Sequence, residues 1–308
     1  MKKLLFIDTD LGGDCDDVGA LALANIFHNK NFIEILGMTH TTSLNWGWNC
    51  IDIVNHYYGN DNINVGVTSR KNYCVENTNR YAEKMVKTLG DENLIKKSYP
   101  NSIKLMRETL SKAENGSVTM VFIGQLANAS DLLDSLGDEI SLLSGVELVK
   151  EKVKEFVIMG GLFKEENETV MFCGNEYHSE YNIVCDIYSS KNVVKKCPVP
   201  IIFSDFKVGY QVHTGGPLLK EDDLSHPVTF AYKTFQNNPR ESWDLLAVWY
   251  AALGCDDLFT ISNKGIVSVL DDGTTIFKEN EFGNHYYLRL NNSIDNVVNK
   301  IDNVLKEE

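Results

Sequence analysis

The sequence contains no long hydrophobic run. Its first ten residues read MKKLLFIDTD, where only residues 4–7 are consecutively apolar, whereas the apolar core of a secretory signal needs roughly 7–15 residues. No later stretch approaches the roughly 20 apolar residues that a membrane-spanning helix requires. We therefore expect a cytoplasmic protein that has no membrane as a partner.

Paired cysteines and prolines are also scarce. The seven cysteines include no C-x-x-C pair, so zinc ribbons and redox dithiols are not expected, and the odd number argues against a full disulfide framework. With only six prolines, the chain has no Pro-rich linker, and it shows no low-complexity segment or internal repeat. We predict that residues 1–308 form a single domain, which this length allows.

Basic side chains are fewer than acidic side chains in this sequence. The sequence has 29 Lys and Arg against 43 Asp and Glu, a formal net charge of −14. A nucleic-acid partner is not expected, because binding to its phosphates requires a face rich in Lys and Arg. A hard cation, in contrast, requires clustered carboxylates. An acidic composition also fits an ordinary solvated surface, so the positions of the acids decide between these interpretations.

Apolar runs alternate with helical patterns along most of the chain. The predicted strands are residues 4–7, 33–39, 63–67, 118–123, 156–159 and 199–203, and the predicted helices are 17–28, 48–58, 102–111, 128–136 and 244–253. Such alternation is typical of an α/β fold, in which a mostly parallel, Rossmann-like sheet carries helices on both faces. Ligands of such folds bind at the C-terminal ends of the strands. Residues 265–290 have a period-two pattern that predicts a β-hairpin.

The most informative segment is DTDLGGDCDD, residues 8–17, between the first strand and the first helix. Five carboxylates within ten residues repel each other unless a countercharge lies among them, and Ca²⁺ takes 6–8 oxygen ligands. The two glycines allow the tight turns that bring such side chains together. Helix capping alone accounts for one or two of these acids, since Asp is favoured there. It does not account for their density, so we predict a calcium site.

This segment resembles the N-terminal motif D-x-D-P-G-x-D-D-A of the inosine–uridine nucleoside hydrolase family. Leu11 stands in place of the proline, and two additional residues separate Asp10 from the Asp16-Asp17 pair. One alignment identifies Asp16 and Asp17 with the family's Asp pair. The other puts Asp14 first and Cys15 second. The first is preferred, because the apolar helix resumes directly after Asp17 and a thiol is a poor ligand for a hard cation.

Further segments resemble the family's motifs in the same order, from about residue 4 to residue 253. The asparagine of G-x-T-T-x-x-G-N corresponds to Asn45, and the segment T-G-x-L-T-N corresponds to residues 123–128. The M-G-G turn corresponds to residues 159–161. The pattern N…E-F-N corresponds to Asn175, Glu180 and Asn182, with a spacing one residue shorter, and a late aspartate corresponds to Asp244, which follows Trp243.

The resemblance implies a calcium-dependent hydrolase that cleaves the N-glycosidic bond of ribonucleosides. Its expected metal ligands are Asp10, Asp17, Asp244 and the backbone carbonyl of Ile123, with Asp10 also as the general base. Its expected substrate contacts are Asp14, Asp16, Asn45, Met159, Asn175, Glu180, Asn182 and Trp243. Taken singly, Asp244 also fits a helix cap, the asparagines fit turns, and Met159 fits ordinary packing. The family tends to form homodimers or homotetramers.

Trp243 indicates which base is preferred. Family members that cleave inosine and uridine alike carry a histidine at this place, whereas purine-selective members carry a tryptophan that stacks on the base. Stacking suits a purine because its ring system is large, so we expect a purine preference. Trp46 and Trp48 offer a second ring, although packing explains them equally well.

Two other functions fit parts of this pattern. A family member that has kept the sugar pocket but lost catalysis would bind nucleosides without releasing the base. A haloacid-dehalogenase-like phosphatase also opens with a strand and D-x-D, but that family has Thr or Val where this chain has Gly12, and it uses Mg²⁺. We expect the hydrolase first, the silent binding protein second and the phosphatase third.

Overall fold

The computed structural model describes residues 2–74 and 81–307. Its strands are β1 (Lys3–Thr9), β2 (Ile33–His40), β3 (Val65–Val67), β4 (Val118–Phe122), β5 (Val153–Met159), β6 (Met171–Phe172), β7 (Asn175–Glu176), β8 (Ile201–Ser204), β9 (His213–Thr214), β10 (Arg240–Glu241), β11 (Phe259–Ile261), β12 (Gly265–Val269), β13 (Thr275–Glu279) and β14 (His285–Leu290). Its helices are α1 (Asp16–Asn29), α2 (Gly47–Tyr57), α3 (Ala82–Leu89), α4 (Glu92–Lys96), α5 (Ser102–Lys112), α6 (Ala127–Asp134), α7 (Gly145–Lys152), α8 (Tyr181–Cys185), α9 (Ile187–Lys196), α10 (Phe206–Tyr210), α11 (Gly216–Glu221), α12 (Pro227–Phe235), α13 (Trp243–Leu253) and α14 (Ile294–Leu305).

A ten-stranded sheet runs through the structure. Its order is β13-β12-β14-β8-β5-β4-β1-β2-β3, and β11 pairs with β14 outside this path. All neighbours from β14 to β3 are parallel, whereas β11 and β12 pair with β14, and β12 with β13, in the antiparallel sense. The mostly parallel α/β sheet is therefore confirmed. The β12–β13 hairpin is also confirmed, and Gly273, with a φ of 83°, allows its tight turn.

Helices cover both faces of the sheet. Successive residues of a strand point to opposite faces, so Leu5 and Ile7 pack into one core and Phe6 packs into the other. The first core includes residues of α1, α2, α3, α12, α13 and α14, and the second those of α5, α6, α7 and α9. The central strands are apolar on both faces because both faces are buried.

The strand order reverses direction between β1 and β4. From β1 the chain continues to β2 and β3 on one side and to β4, β5 and β8 on the other, which creates a crevice at the carboxyl ends of β1 and β4. The two loops there are in close contact, since a Cβ atom on Gly124 would lie 2.8 Å from the backbone nitrogen of Asp10. Only glycine allows the loop after β4 to approach the aspartate-rich loop in this way.

The predicted elements are present with small shifts of their ends, and several others were not predicted. The strand expected at residues 63–67 is shorter, and residues 145–152, 187–196 and 294–305 form helices that the sequence analysis did not propose. In α14, Val297, Ile301 and Leu305 are buried at helical spacing, a pattern that was available in the sequence. Among the described residues, none of the helices has the length and apolarity required to cross a membrane.

Candidate metal and substrate-binding site

Three buried aspartates converge at the crevice. Asp16 and Asp17 lie in the first turn of α1, and Asp244 lies in the first turn of α13. One carboxylate oxygen of each lies within 4.8 Å of the other two, and the backbone N–H of Asp244 donates to Oδ2 of Asp16 at 3.2 Å. The first turns of two helices distant in sequence therefore meet, and their N-terminal dipoles favour negative charge at this point.

The electrostatics of this cluster favour a bound cation. Burial raises the pKa of Asp16, Asp17 and Asp244 well above the ordinary value, and repulsion from neighbouring aspartates raises it further. Carboxylate oxygens are the ligands that hard divalent cations prefer. A cation among them would replace the lost solvation and remove the repulsion. The residues present therefore fit the divalent cation that the sequence predicts.

Asp10 follows β1 and lines the same cavity as the cluster. Its Oδ2 accepts a hydrogen bond from Nε2 of Gln125 at 2.8 Å, and burial raises its pKa to about 6. The charge of Asp10 contributes to the raised pKa of both Asp17 and Asp244. Oε1 of Gln125 is buried and has no hydrogen-bond partner among the described residues. Gln125 was not predicted as a site residue, although it lies within the motif at residues 123–128.

Hydrogen bonds from β1, β2 and α6 hold the aspartate-rich loop, residues 8–17, in place. The hydroxyl of Thr9 donates to Oδ1 of Asp17. Asp8 is buried and accepts hydrogen bonds from Thr39 at 2.5 Å and from Asn128 at 2.8 Å. The loop is thus tied to β2 and α6 on both sides of β1.

Asp14 has a different environment from the clustered acids. Its two oxygens accept hydrogen bonds from Nε of Arg240, at 2.8 Å, and from Nη2 of the same side chain. Asp14 lines the cavity but is paired with a cation, while Asp16 and Asp17 form the cluster with Asp244. This arrangement favours the alignment in which Asp16 and Asp17 are the family's Asp pair. Arg240 was missed by the sequence analysis.

One part of the cavity wall is polar. It consists of the side chains of Glu180 and Asn182 and the backbone carbonyl group of Met159. Glu180 accepts hydrogen bonds from the backbone N–H groups of Gly161 at 3.2 Å, Asn182 at 2.7 Å and Ile183 at 3.1 Å, and burial raises its pKa to about 7. Nδ2 of Asn182 donates to the carbonyl oxygen of Met159 at 3.3 Å. These side chains are held rigidly, as a site for hydroxyl groups requires.

The structure does not bring every predicted residue to the cavity. Asn45 and Asn175 are exposed and are not among the residues that line it. The side chain of Asn175 instead donates to the carbonyl oxygen of Cys173 at 3.3 Å. Ile123 does line the cavity. The contacts assigned to Asn45 and Asn175 stay predictions.

Aromatic rings form the other wall of the cavity, whose volume is about 550 Å³, within the range of small-molecule sites. Trp243 donates from Nε1 to the carbonyl oxygen of Phe206 at 3.0 Å, and their ring centroids lie 5.4 Å apart. Phe172 meets Trp243 edge-on at 5.9 Å. Trp46 and Trp48 do not line this cavity, and Trp48 packs edge-on against His40 at 5.8 Å, which favours the packing interpretation.

We predict that the metal-free protein loses stability as the pH rises from about 4 to about 7. The pKa of Asp10 is raised to about 6 and that of Glu180 to about 7. A carboxyl group with a higher pKa in the folded state contributes its stability below the unfolded pKa and loses it as the pH passes the folded pKa. Urea unfolding of wild type and Glu180→Gln in chelator should show a difference in unfolding free energy that changes across this range.

The control for this measurement is Glu281→Gln, at an exposed position, for which the difference from wild type should stay constant with pH. A constant difference for Glu180→Gln as well would contradict the prediction.

Comparisons of the sequence and of the fold with known proteins both lead to nucleoside hydrolases. The family model described as inosine-uridine preferring nucleoside hydrolase matches residues 5–303, and no curated protein matches the sequence. The fold is similar to that of a plant nucleoside hydrolase, PpNRh1, with a TM-score of 0.74 and 16% identity over 100% of both chains. It is also similar to an inosine-uridine preferring nucleoside hydrolase from Bacillus anthracis, with a TM-score of 0.70 and 19% identity over 99% of both chains.

A third similar structure is a purine-preferring ribonucleoside hydrolase from Gardnerella vaginalis, with a TM-score of 0.69 and 17% identity over 98% of both chains. At such identities these structures establish the likeness of the fold, and the family model establishes the membership. Because that model covers nearly the whole chain, the protein belongs to the inosine-uridine preferring nucleoside hydrolase family.

Proposed function

We propose that this protein hydrolyses the N-glycosidic bond of ribonucleosides and releases ribose and the free base. The observation that carries the proposal is the convergence of three buried carboxylates, from α1 and α13, beside a cavity that Asp10 also lines. One wall of this cavity is polar and the other is aromatic. The hydroxyl groups of a ribose require a polar wall, and a base requires an aromatic wall.

The donor set fits Ca²⁺. Asp10, Asp17, Asp244 and the backbone carbonyl of Ile123 would hold it, and a preference for 6–8 oxygen ligands leaves positions for water and the ribose hydroxyls. When bound, the cation supplies a Lewis acid that lowers the pKa of water and orients it.

Asp10 is the general base in this proposal. Gln125 holds one of its oxygens, and a cation bound beside Asp10 would keep the carboxylate ionised at neutral pH, ready to accept a proton. As the water oxygen bonds to C1′ of the ribose, its proton passes to Asp10 and the electron pair of the C1′–N bond goes to the base. Direct displacement inverts the anomeric centre, as in inverting glycosidases.

The polar wall binds the ribose. Asp16, Glu180 and Asn182 present oxygen and nitrogen atoms to its hydroxyls, with Asn175 as a further contact by resemblance. Glu180 keeps acceptor capacity beyond its three backbone hydrogen bonds, because a carboxylate has about four lone-pair positions. The acidic groups of Asp16 and Glu180 and the amide dipole of Asn182 also favour the positive charge that develops on the ribose ring.

The aromatic wall binds the base. The ring of Trp243 is fixed by its hydrogen bond to Phe206, and Phe172 and Tyr177 line the same part of the cavity. A purine offers more stacking area than a pyrimidine, which supports a purine preference. The reaction belongs to nucleoside catabolism and makes purines available for salvage. We further propose that the protein acts in the cytoplasm as a homodimer or homotetramer, the assemblies usual in the family.

Asp10→Asn should retain the fold and lose most of its activity. The amide occupies the same volume but cannot accept the proton of the attacking water, so kcat for inosine should fall roughly 100- to 10,000-fold, while the melting temperature changes little. Asp61→Asn, at an exposed position, is the matched control. Turnover of Asp10→Asn at the wild-type rate would remove Asp10 from its role.

Removal of the divalent cation should abolish turnover, and Ca²⁺ should restore it. Titration calorimetry should detect Ca²⁺ binding to the wild type, and the ion should raise its melting temperature because it binds the folded state. Asp244→Asn should bind Ca²⁺ more weakly, since it lacks one carboxylate of the cluster. Full activity in exhaustively decalcified protein would refute the calcium requirement, and Mg²⁺-dependent release of phosphate would support the phosphatase alternative.

Purine nucleosides should be cleaved faster than pyrimidine nucleosides. Rates of base release from inosine, guanosine, uridine and cytidine, compared as kcat/KM, measure the preference. Faster cleavage of uridine would contradict the stacking argument, and Trp243→Ala should reduce the purine advantage. Tight nucleoside binding without base release, in the presence of Ca²⁺, would identify the protein as the silent binding member of the family.

A further inference from the structure

Arg240 places a guanidinium group on the wall of the cavity. It lies in the short strand β10, three residues before Trp243, and its side chain is 14% exposed. Its Cζ atom lies 5.1 Å from the centroid of the Trp243 ring and 5.3 Å from that of Phe235. Arg240 is the one Lys or Arg side chain among the described residues that line the cavity. A cation therefore lies beside the aromatic ring on which a base would stack.

The orientation of this guanidinium is fixed from two sides. Nε and Nη2 donate to the two oxygens of Asp14, and Nη1 donates to Oε2 of Glu241 at 2.7 Å. A guanidinium has five N–H groups in a planar arrangement. These bonds use three of them, so two N–H groups have no acceptor within residues 2–74 and 81–307. Asp14 and Glu241 thus act as positioning residues that hold the group against the cavity.

The free N–H groups of Arg240 lie one on Nη1 and one on Nη2, and two donors of one guanidinium can match the edge of a 6-oxopurine. Arginine pairs with O6 and N7 of guanine, both of which are acceptors, whereas adenine presents an amino donor at position 6. Inosine and guanosine share the O6 and N7 acceptors. A purine bound here would therefore accept both free N–H groups only if it carries an oxygen at position 6.

The same contact favours departure of the base. When the C1′–N9 bond breaks, its electron pair goes to the purine, which leaves as an anion and takes a proton from solvent afterwards. The two free N–H groups of Arg240 donate hydrogen bonds that strengthen as this anion forms, while Asp14 and Glu241 balance the charge of the guanidinium itself. Arg240 does not give up a proton in this step, since a guanidinium stays protonated in proteins. No histidine is found among the described residues that line the cavity, so none of these residues offers an imidazole to protonate the base.

We propose that Arg240, held by Asp14 and Glu241, recognises the leaving base and selects 6-oxopurine nucleosides over adenosine. This inference rests on the proposed nucleoside hydrolase function. It assigns Arg240 to base recognition and gives Asp14 a positioning role.

The test compares Arg240→Gln and Arg240→Lys with the wild type, all with Ca²⁺. The substrates are guanosine, inosine, adenosine and 4-nitrophenyl β-D-ribofuranoside, whose nitrophenolate is a good leaving group without O6 or N7. The wild type should prefer guanosine and inosine to adenosine. The ratio of kcat/KM for guanosine to that for the nitrophenyl riboside should fall roughly 5- to 150-fold in both variants, as expected for a lost bidentate contact. Arg289→Gln, at an exposed arginine, should keep the wild-type ratio.

A second measurement uses binding alone. Titration calorimetry with guanine and adenine should show that wild type binds guanine more tightly and that Arg240→Gln loses this difference, while Asp14→Asn reduces it. An unchanged guanosine-to-nitrophenyl ratio in both Arg240 variants, or a wild type that prefers adenosine, would overturn the inference and leave the hydrolase function intact. If the wild type cleaves neither the nucleosides nor the nitrophenyl riboside, the proposed function fails and the inference falls with it.

Discussion

The repulsion among buried carboxylates is the constraint on which the site depends. The side chains of Asp16, Asp17 and Asp244 are buried and lie close enough together for one cation to contact all three. Two helix N-termini compensate part of this cost, because their dipoles favour anions. The remaining cost is of the kind that a divalent cation offsets, since isolated charges are expensive to bury. The fold therefore keeps a local instability that a ligand can relieve.

The reversal of strand order decides where this instability lies. After β1 the chain continues to one side of the sheet, and after β4 it continues to the other. The loops that follow these two strands are in contact at Gly124 and Asp10. The third contribution comes from α13, which packs on the same face of the sheet as α1 and brings Asp244 to the first turn of α1. A rigid frame of strands and helices thus holds the acids. Gln125 then sets the orientation of the one acid that would exchange a proton.

The acids of the aspartate-rich loop are divided between two kinds of partner. Asp16 and Asp17 face a third carboxylate, whereas Asp14 is paired with Arg240. The same loop therefore supplies two acids to the cluster and a third acid that fixes the guanidinium beside the ring of Trp243.

Local patterns in the sequence determined the alternation of strands and helices, the position of the aspartate-rich loop after the first strand and the helix that begins at its last two acids. These features depend on periodicity, turn residues and capping preferences over a few positions, so they can be predicted from neighbouring residues. Motif resemblance added Asp244, Glu180 and Asn182. Only the tertiary structure paired Asp14 with Arg240, 226 residues away, bound Gln125 to Asp10 and left Asn45 and Asn175 outside the cavity. An ion pair or a cavity wall has no local signature, because it depends on how distant segments pack, and composition cannot reveal which acid meets a cation and which meets another acid.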